Sequence, residues 1–259
     1  MESKKVALVL GSGGARGLAH IGAIEAIEER GYTITSIAGC SMGSIIAGMY
    51  AAGQLAEAKE WFLRVDKQLI LRMLDINLLS SNSLVKGQRI IKELEKVVPD
   101  RPIEELNIPC AIVASDMQNT EEVIFRTGSL FQAVRASISI PLFFEPVKMG
   151  DKLLIDGGIL NPLPLHIVRR MAGDILVAMD ISGKDSKPMD RANFIGILDR
   201  MSDMQIQRNT ILECQLTPPD VHAVMRQYAY NTFDFDRAEE IIAEGKQIMS
   251  DALENYEGS

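Results

Sequence analysis

The chain is poor in several residue types that mark functional classes. Its 259 residues include 3 cysteines and 3 histidines. Cys40, Cys110 and Cys214 are odd in number and lack metal-ligand spacing, which argues against a disulfide frame or zinc site and for a reducing compartment. Positive charge is in deficit, with 27 Lys and Arg against 35 Asp and Glu and a formal net charge of −8. No basic stripe is available to offset phosphate charge, so nucleic acid is not expected as a partner. The same balance gives no electrostatic help at an anionic membrane, although Lys86, Arg89 and Lys92 form a local basic cluster. No run reaches the ~20 apolar residues of a membrane span. The start, Met1-Glu2-Ser3-Lys4-Lys5, leads into a strand-like segment that stops at a glycine loop, too early for a signal-peptide core. The expected location is cytoplasmic. Repeats and low-complexity tracts are absent.

What is present reads as an α/β chain. Hydrophobic content of 47% and charged content of 24% are ordinary for a globular protein able to bury a sizeable core. Val6 to Leu10 is a continuous apolar run, as in a strand buried on both faces. Ala15 to Arg30 carries Leu18, Ile21, Ile24 and Ile27 at helical spacing, with Gly31 as its stop. A second strand, Thr33 to Ala38, is followed by a helix ending near Gly53. Further strands are expected at Pro109 to Ser115, Glu122 to Arg126, Val147 to Ile155 (a hairpin around Gly150-Asp151) and Asp174 to Asp180. Leu55 to Val98, Met189 to Leu216 and Asp236 to Leu253 read as helical, and Gly183 to Met189 as a linker. Alternating strands and helices predict a mostly parallel sheet with right-handed crossovers.

Two glycine-rich turns carry the chemistry. Gly39-Cys40-Ser41-Met42-Gly43 lies between a strand and a helix, the setting of a nucleophile elbow. There a serine hydroxyl stands clear of its neighbours, and the flanking glycines avoid collision with the adjacent strand and helix. Gly11-Ser12-Gly13-Gly14-Ala15-Arg16-Gly17 joins the first strand to the first helix, where backbone N–H groups and a helix dipole face any nearby anion. A dinucleotide site would need a glycine where Arg16 stands and an acidic residue at the end of the second strand, and has neither. An oxyanion hole is the better reading, with the N–H groups of Gly13 and Gly14 as donors and Arg16 in support. A plain tight turn is the bland alternative. Parallel neighbouring strands end at one sheet edge, so this loop and Ser41 are expected side by side.

Serine needs a base. His20, His166 and His222 have ordinary structural explanations, and none stands in an order that compels a triad. Asp156-Gly157-Gly158 ends an apolar strand, Leu153-Leu154-Ile155, although Asp-Gly is also a common turn dipeptide. Asp116 and Asp180 end other strands and remain rival bases on local grounds.

Taken in order, Gly11–Gly17, Gly39–Gly43 and Asp156–Gly158 resemble the patatin-like phospholipases, most closely the compact bacterial members. The similarity extends to Leu18-Ala19-His20-Ile21-Gly22, Ala136-Ser137-Ile138-Ser139-Ile140-Pro141, Phe144-Glu145-Pro146-Val147 and Phe235-Asp236-Arg237-Ala238-Glu239-Glu240. The resemblance implies a three-layer α/β/α fold with a mostly parallel central sheet, formed by one domain over 1–259. Within it, 5–165 would be the catalytic core with a helical lid or insert at 55–98, and 166–259 would complete the domain. It implies a serine acyl hydrolase using a Ser–Asp dyad, with Ser41 as nucleophile and Asp156 as base. Gly13, Gly14 and Arg16 form the oxyanion region, and Gly11, Gly39, Met42, Gly43, Gly157 and Gly158 support it. Ser12 stands where many members carry another glycine, which matters little if its φ is negative. The Met42 N–H is a further oxyanion donor.

Acyl lipids or related esters are the implied substrates, with peripheral contact at the inner membrane surface and no cofactor or metal. Leu69 to Ile76, with Trp61 and Phe62, would wall an acyl groove or form an amphipathic lid; helices simply covering the sheet are the alternative. Asp234-Phe235-Asp236 begins like a calcium loop, but Glu239 replaces the required glycine. A carboxylesterase or thioesterase without lipid preference, and a non-catalytic scaffold, are the competing functions.

Overall fold

Val6–Leu10 carries only apolar side chains, and in the computed structural model it runs through the middle of an eight-stranded sheet. The structure describes residues 4–66, 68–69, 87–141, 143–185 and 193–258. Its strands are β1 (Lys4–Leu10), β2 (Tyr32–Cys40), β3 (Cys110–Asp116), β4 (Glu121–Phe125), β5 (Val147–Met149), β6 (Lys152–Asp156), β7 (Asp174–Gly183) and β8 (Val221–Arg226). They lie in the order β5-β6-β3-β2-β1-β7-β8, with β4 also paired to β3. The run from β3 to β8 is parallel. The pairs β3–β4, β3–β6 and β5–β6 are antiparallel. For β3–β4 and β5–β6 this follows from their tight connections, because a parallel pair needs a long crossover.

The two faces of β1 go to different cores, as period-two alternation requires. Val6, Leu8 and Leu10 join the larger core with Leu18, Ile21, Ile24 and Ile27, while Ala7 and Val9 pack with Leu163, Leu165 and Ile167. The helices are α1 (Ala19–Glu29), α2 (Met42–Ala51), α3 (Leu55–Leu63), α4 (Gln88–Glu95), α5 (Leu130–Ser137), α6 (Phe194–Leu216) and α7 (Ala238–Glu257). Helices α1, α2, α5 and α7 contribute to the larger core. Helix α6 lies on the other side, where Cys214 meets the smaller core. The result is a three-layer α/β/α sandwich. All three cysteines are unpaired.

Local differences from the expected elements have local causes. The first helix begins at Ala19, because Gly14–Leu18 forms a 3-10 turn whose Ala15 N–H goes to Thr232 O at 2.9 Å. Helix α6 starts at Phe194, where the Asn193 side chain accepts the Gly196 N–H; residues 186–192, including most of the expected linker, lie outside the described residues. Helix α7 runs past Leu253 to Glu257, whose carboxylate takes bonds from Lys4, Arg30 and Tyr32. Of the helical stretch 55–98, residues 70–86 also lie outside the description, and with them most of the Leu69–Ile76 groove or lid.

One edge of β3 decides where the site forms. β4 overlaps β2 along Ile112 and Val113, and overlaps β6 along Ala114 to Asp116. Strands β2 and β6 therefore share the opposite edge and run head to head along it. Cys40 pairs with Val113 and Asp156 with Ala114, so Ser41 emerges facing Asp156.

Helices α1 and α7 cross in direct backbone contact. A Cβ on Gly22 would stand 1.9 Å from Ile242 O, and one on Gly245 2.2 Å from Ala19 O. Backbone cannot yield as a flexible side chain can. Gly245→Ala is expected to lower stability by at least about 1–3 kcal/mol, the usual cost of overpacking. Urea unfolding followed by circular dichroism measures this; an unchanged midpoint would contradict the crossing.

Candidate active site

Ser41 sits between β2 and α2 with φ 53° and ψ −124°. Among the described residues, only Ser41 and Thr120 are non-glycine with positive φ. Such a conformation costs on the order of 1–3 kcal/mol and persists only when the surroundings enforce it. Both main-chain groups of Ser41 are held. Its N–H donates to Ser137 Oγ at 2.8 Å, and its carbonyl accepts the Ser44 N–H at 2.9 Å and Ser44 Oγ–H at 2.6 Å. A Cβ on Gly39 would lie 2.2 Å from Gly43 O, and one on Gly43 2.3 Å from Leu10 O. Both glycines are demanded by the closeness of β1, β2 and α2.

The Ser41 hydroxyl donates to Asp156 Oδ2 at 2.6 Å. Asp156 Oδ1 accepts the Gly158 N–H at 2.7 Å, and the Asp156 N–H donates to Ser139 O at 2.9 Å. Both side chains are buried. Burial pushes the Asp156 carboxyl up to about 6, against the opposing influence of the bonds from Ser41 and Gly158. Gly157 lies flat against β3, where a Cβ would be 2.4 Å from Val113 O.

The rival bases are engaged elsewhere. Asp116 accepts from Gln118 N–H, Asn119 Nδ2 and Leu153 N–H. Asp180 accepts from the N–H and Oγ of Ser182 and lies 3.5 Å from His222. His20 Nε2 contacts Gly11 O at 2.8 Å; burial lowers its pKa to about 4, so it is neutral and donates there. His166 lies between Glu213 and Glu122.

The glycine loop borders Ser41 through the β1–β2 pairing, where Leu10 is opposite Gly39. The N–H groups of Gly11, Ser12 and Ala15 are taken by Met179 O, Pro162 O and Thr232 O. Those of Gly13 and Gly14 have no partner among the described residues. Gly14 has φ +58°, and Ser12 is not a positive-φ residue. Arg16 donates to the carbonyls of Gln227 and Tyr230. It fastens the loop to the segment after β8.

Beside Ser41 opens a cavity of about 80 Å³. Its walls are apolar: Ile45, Phe62, Leu94, Ile138, Phe144 and Phe233 represent the elements that surround it. Residues 232–235 had no place in the expected site; the sequence marked them only through the Phe235–Glu240 stretch and the rejected calcium-loop reading of Asp234-Phe235-Asp236. Ser137 and Ser139 were visible only as part of a familiar segment. Among the described residues, no group of three or more His, Cys, Asp or Glu is arranged to hold a metal ion.

The family model described as patatin-like phospholipase matches residues 8–169, which include the glycine loop, Ser41 and Asp156. The chain belongs to the patatin-like phospholipase family. It is thereby classed with the patatin-family hydrolases. An uncharacterized NTE family protein of Mycobacterium tuberculosis is 42% identical over 187 residues, covering 72% of this chain and 52% of that protein. Patatin-like phospholipase domain-containing protein 6 of Homo sapiens is 33% identical over 192 residues, 71% of this chain and 14% of its own length. The chain thus spans about half the length of the mycobacterial relative and less of the human one. The crystal structure of VipD from Legionella pneumophila aligns with a TM-score of 0.52 and 15% identity, over 99% of this chain and 67% of that one. At that identity the likeness concerns the fold alone.

The raised carboxyl has a thermodynamic consequence. The folded state binds this proton more tightly than the unfolded chain, so Asp156 disfavours folding as pH rises from its ordinary 3.8 through about 6. Asp156→Asn, of the same shape and uncharged, is expected to be more stable than the parent by up to about 3 kcal/mol at pH 8. The difference should fade below pH 4. Thermal unfolding across pH tests this; a variant no more stable than the parent at pH 8 would contradict a desolvated carboxylate.

Proposed function

We propose that this member of the patatin-like family hydrolyses carboxylic esters of acyl lipids through Ser41 and Asp156. The supporting observation is the 2.6 Å hydrogen bond from Ser41 Oγ to a buried carboxylate, beside an apolar cavity. Asp156 takes the hydroxyl proton as Ser41 Oγ attacks the ester carbonyl. The oxygen of the tetrahedral intermediate gathers negative charge, and the N–H groups of Gly13, Gly14 and Met42 are its donors. Arg16 acts at a distance, by holding their loop. Collapse of the intermediate breaks the ester bond, and Asp156 returns its proton to the departing alcohol. Water then attacks the acyl-enzyme, losing a proton to Asp156; the fatty acid leaves and Ser41 regains its hydrogen. A carboxylate with its pKa near 6 is a better base for this than an exposed one.

The apolar walls favour an acyl chain over a polar acid as the bound group. Phe143, exposed at 40%, stacks edge to face on Phe233 of the cavity wall. An aromatic pair so placed suits contact with a lipid surface. No described helix is long and apolar enough to cross a membrane.

Incubation with a fluorophosphonate, followed by peptide mass mapping, is expected to label Ser41 in the parent and leave Ser41→Ala unmodified. Against a panel of esters, both Ser41→Ala and Asp156→Asn should lose at least ~1000-fold in kcat while staying folded. Failure to label would favour a non-catalytic scaffold. Equal rates on short soluble esters and on long-chain lipid in micelles would favour a general carboxylesterase.

The base must be ionised to accept the proton. The rate of the parent is therefore expected to fall as pH drops through about 6 and to be level above it, until the enzyme or substrate titrates at higher pH. A profile flat down to pH 4 would remove Asp156 from the base role.

A further inference from the structure

We propose that Ser137 is a positioning residue, and that Ser137-Ile138-Ser139 is a splint setting the spacing of nucleophile and base. The proposal rests on the acyl-transfer reading above. Ser41 and Asp156 are 115 positions apart in the chain, and they end strands that meet head on without pairing to each other. The shared edge of β3 brings the two ends together, but no ladder bond joins one strand to the other across the gap. The three-residue segment at the end of α5 bridges that gap by touching both. Ser137 Oγ accepts the Ser41 N–H at 2.8 Å, and Ser139 O accepts the Asp156 N–H at 2.9 Å.

The segment is itself clamped. Arg135 donates to Ser139 Oγ at 2.6 Å and to Glu145 O at 3.0 Å, while Ser139 Oγ donates back to Arg135 O at 2.8 Å. Ser137 and Ser139 are wholly inaccessible to solvent. Water therefore cannot replace the Ser137 hydroxyl, and its loss leaves the Ser41 N–H buried without an acceptor. Because Ser41 is held at positive φ, relaxation of that unpaired group has an obvious route: the elbow rotates and the hydroxyl moves off Asp156. Ile138, between the two serines, faces the apolar cavity. Its neighbours fix the reacting groups while its side chain forms part of the wall.

The test compares Ser137→Ala with Ser137→Thr, which keeps the hydroxyl, by ester hydrolysis and by the Ser41 amide signal in 15N-serine-labelled protein. In the parent, the Ser41 amide proton should exchange slowly. Ser137→Ala should lose ~100-fold in kcat, the scale of an ångström misplacement, with KM changed less than about twofold. Its Ser41 amide should exchange faster, and the acidic limb of its rate profile should stay near that of the parent, since Ser137 does not touch the carboxylate. Ser137→Thr should recover most of the rate. A kcat in Ser137→Ala within twofold of the parent would overturn the proposal. So would a Ser41 amide that exchanges fast in the parent, a measurement that does not depend on any variant folding. If the parent itself neither hydrolyses esters nor reacts with a fluorophosphonate, the hydrolase reading fails. The parent-against-alanine amide comparison then still decides whether Ser137 holds the elbow.

Discussion

A single short hydrogen bond, from a serine hydroxyl on a strained turn to a carboxylate removed from water, organises this molecule. Neither group is comfortable. Ser41 has a backbone conformation that side chains other than glycine's rarely adopt, and Asp156 carries a carboxyl that burial makes harder to ionise. Both conditions need a rigid surround, and the three-layer sandwich supplies it. Strand β1 is buried on both faces along its apolar run. The crossing of α1 and α7 is close enough to exclude side chains at Gly22 and Gly245.

The antiparallel part of the sheet matters more to the site than its size suggests. A purely parallel sheet would bring every loop to one edge but would not aim a second strand back at Ser41. Here β6 reverses and enters the same edge of β3 that β2 occupies, so that two strand ends confront one another. The gap between them has room for a hydroxyl and a carboxylate. The glycine loop approaches from β1, the adjoining parallel strand.

The cavity beside Ser41 gives that residue an apolar neighbour, and it is assembled from parts remote in sequence. Trp61 and Phe62 come from α3, Leu94 from α4, Ile138 from the segment after α5, and Phe233 from beyond β8. On the proposed reading, desolvation and acyl binding are two effects of the same enclosure. Arg16 belongs to this assembly as a fastener. Through the carbonyls of Gln227 and Tyr230 it ties the glycine loop to the chain that leads into the 232–235 wall.

Much of the architecture was legible because its causes are local. Continuous apolar runs such as Val6–Leu10 declare buried strands, the spacing of Leu18, Ile21, Ile24 and Ile27 declares a helix face, and glycines around Ser41 declare a turn too crowded for side chains. Local sequence placed Asp156 better, before two glycines, but left Asp116 and Asp180 as rivals, since each was expected to end a strand and local sequence says nothing about which strand ends face one another; resemblance to a family favoured Asp156 further. The orientation of Arg16, the hold of Ser137 and Ser139 on the two strand ends, and the contribution of residues 232–235 to the cavity came only from the folded chain. Residue types and their periodicity determined the elements of this protein. Tertiary structure decided which of them meet, because the register on β3 and the enclosure of a cavity are relations between segments that no single stretch contains.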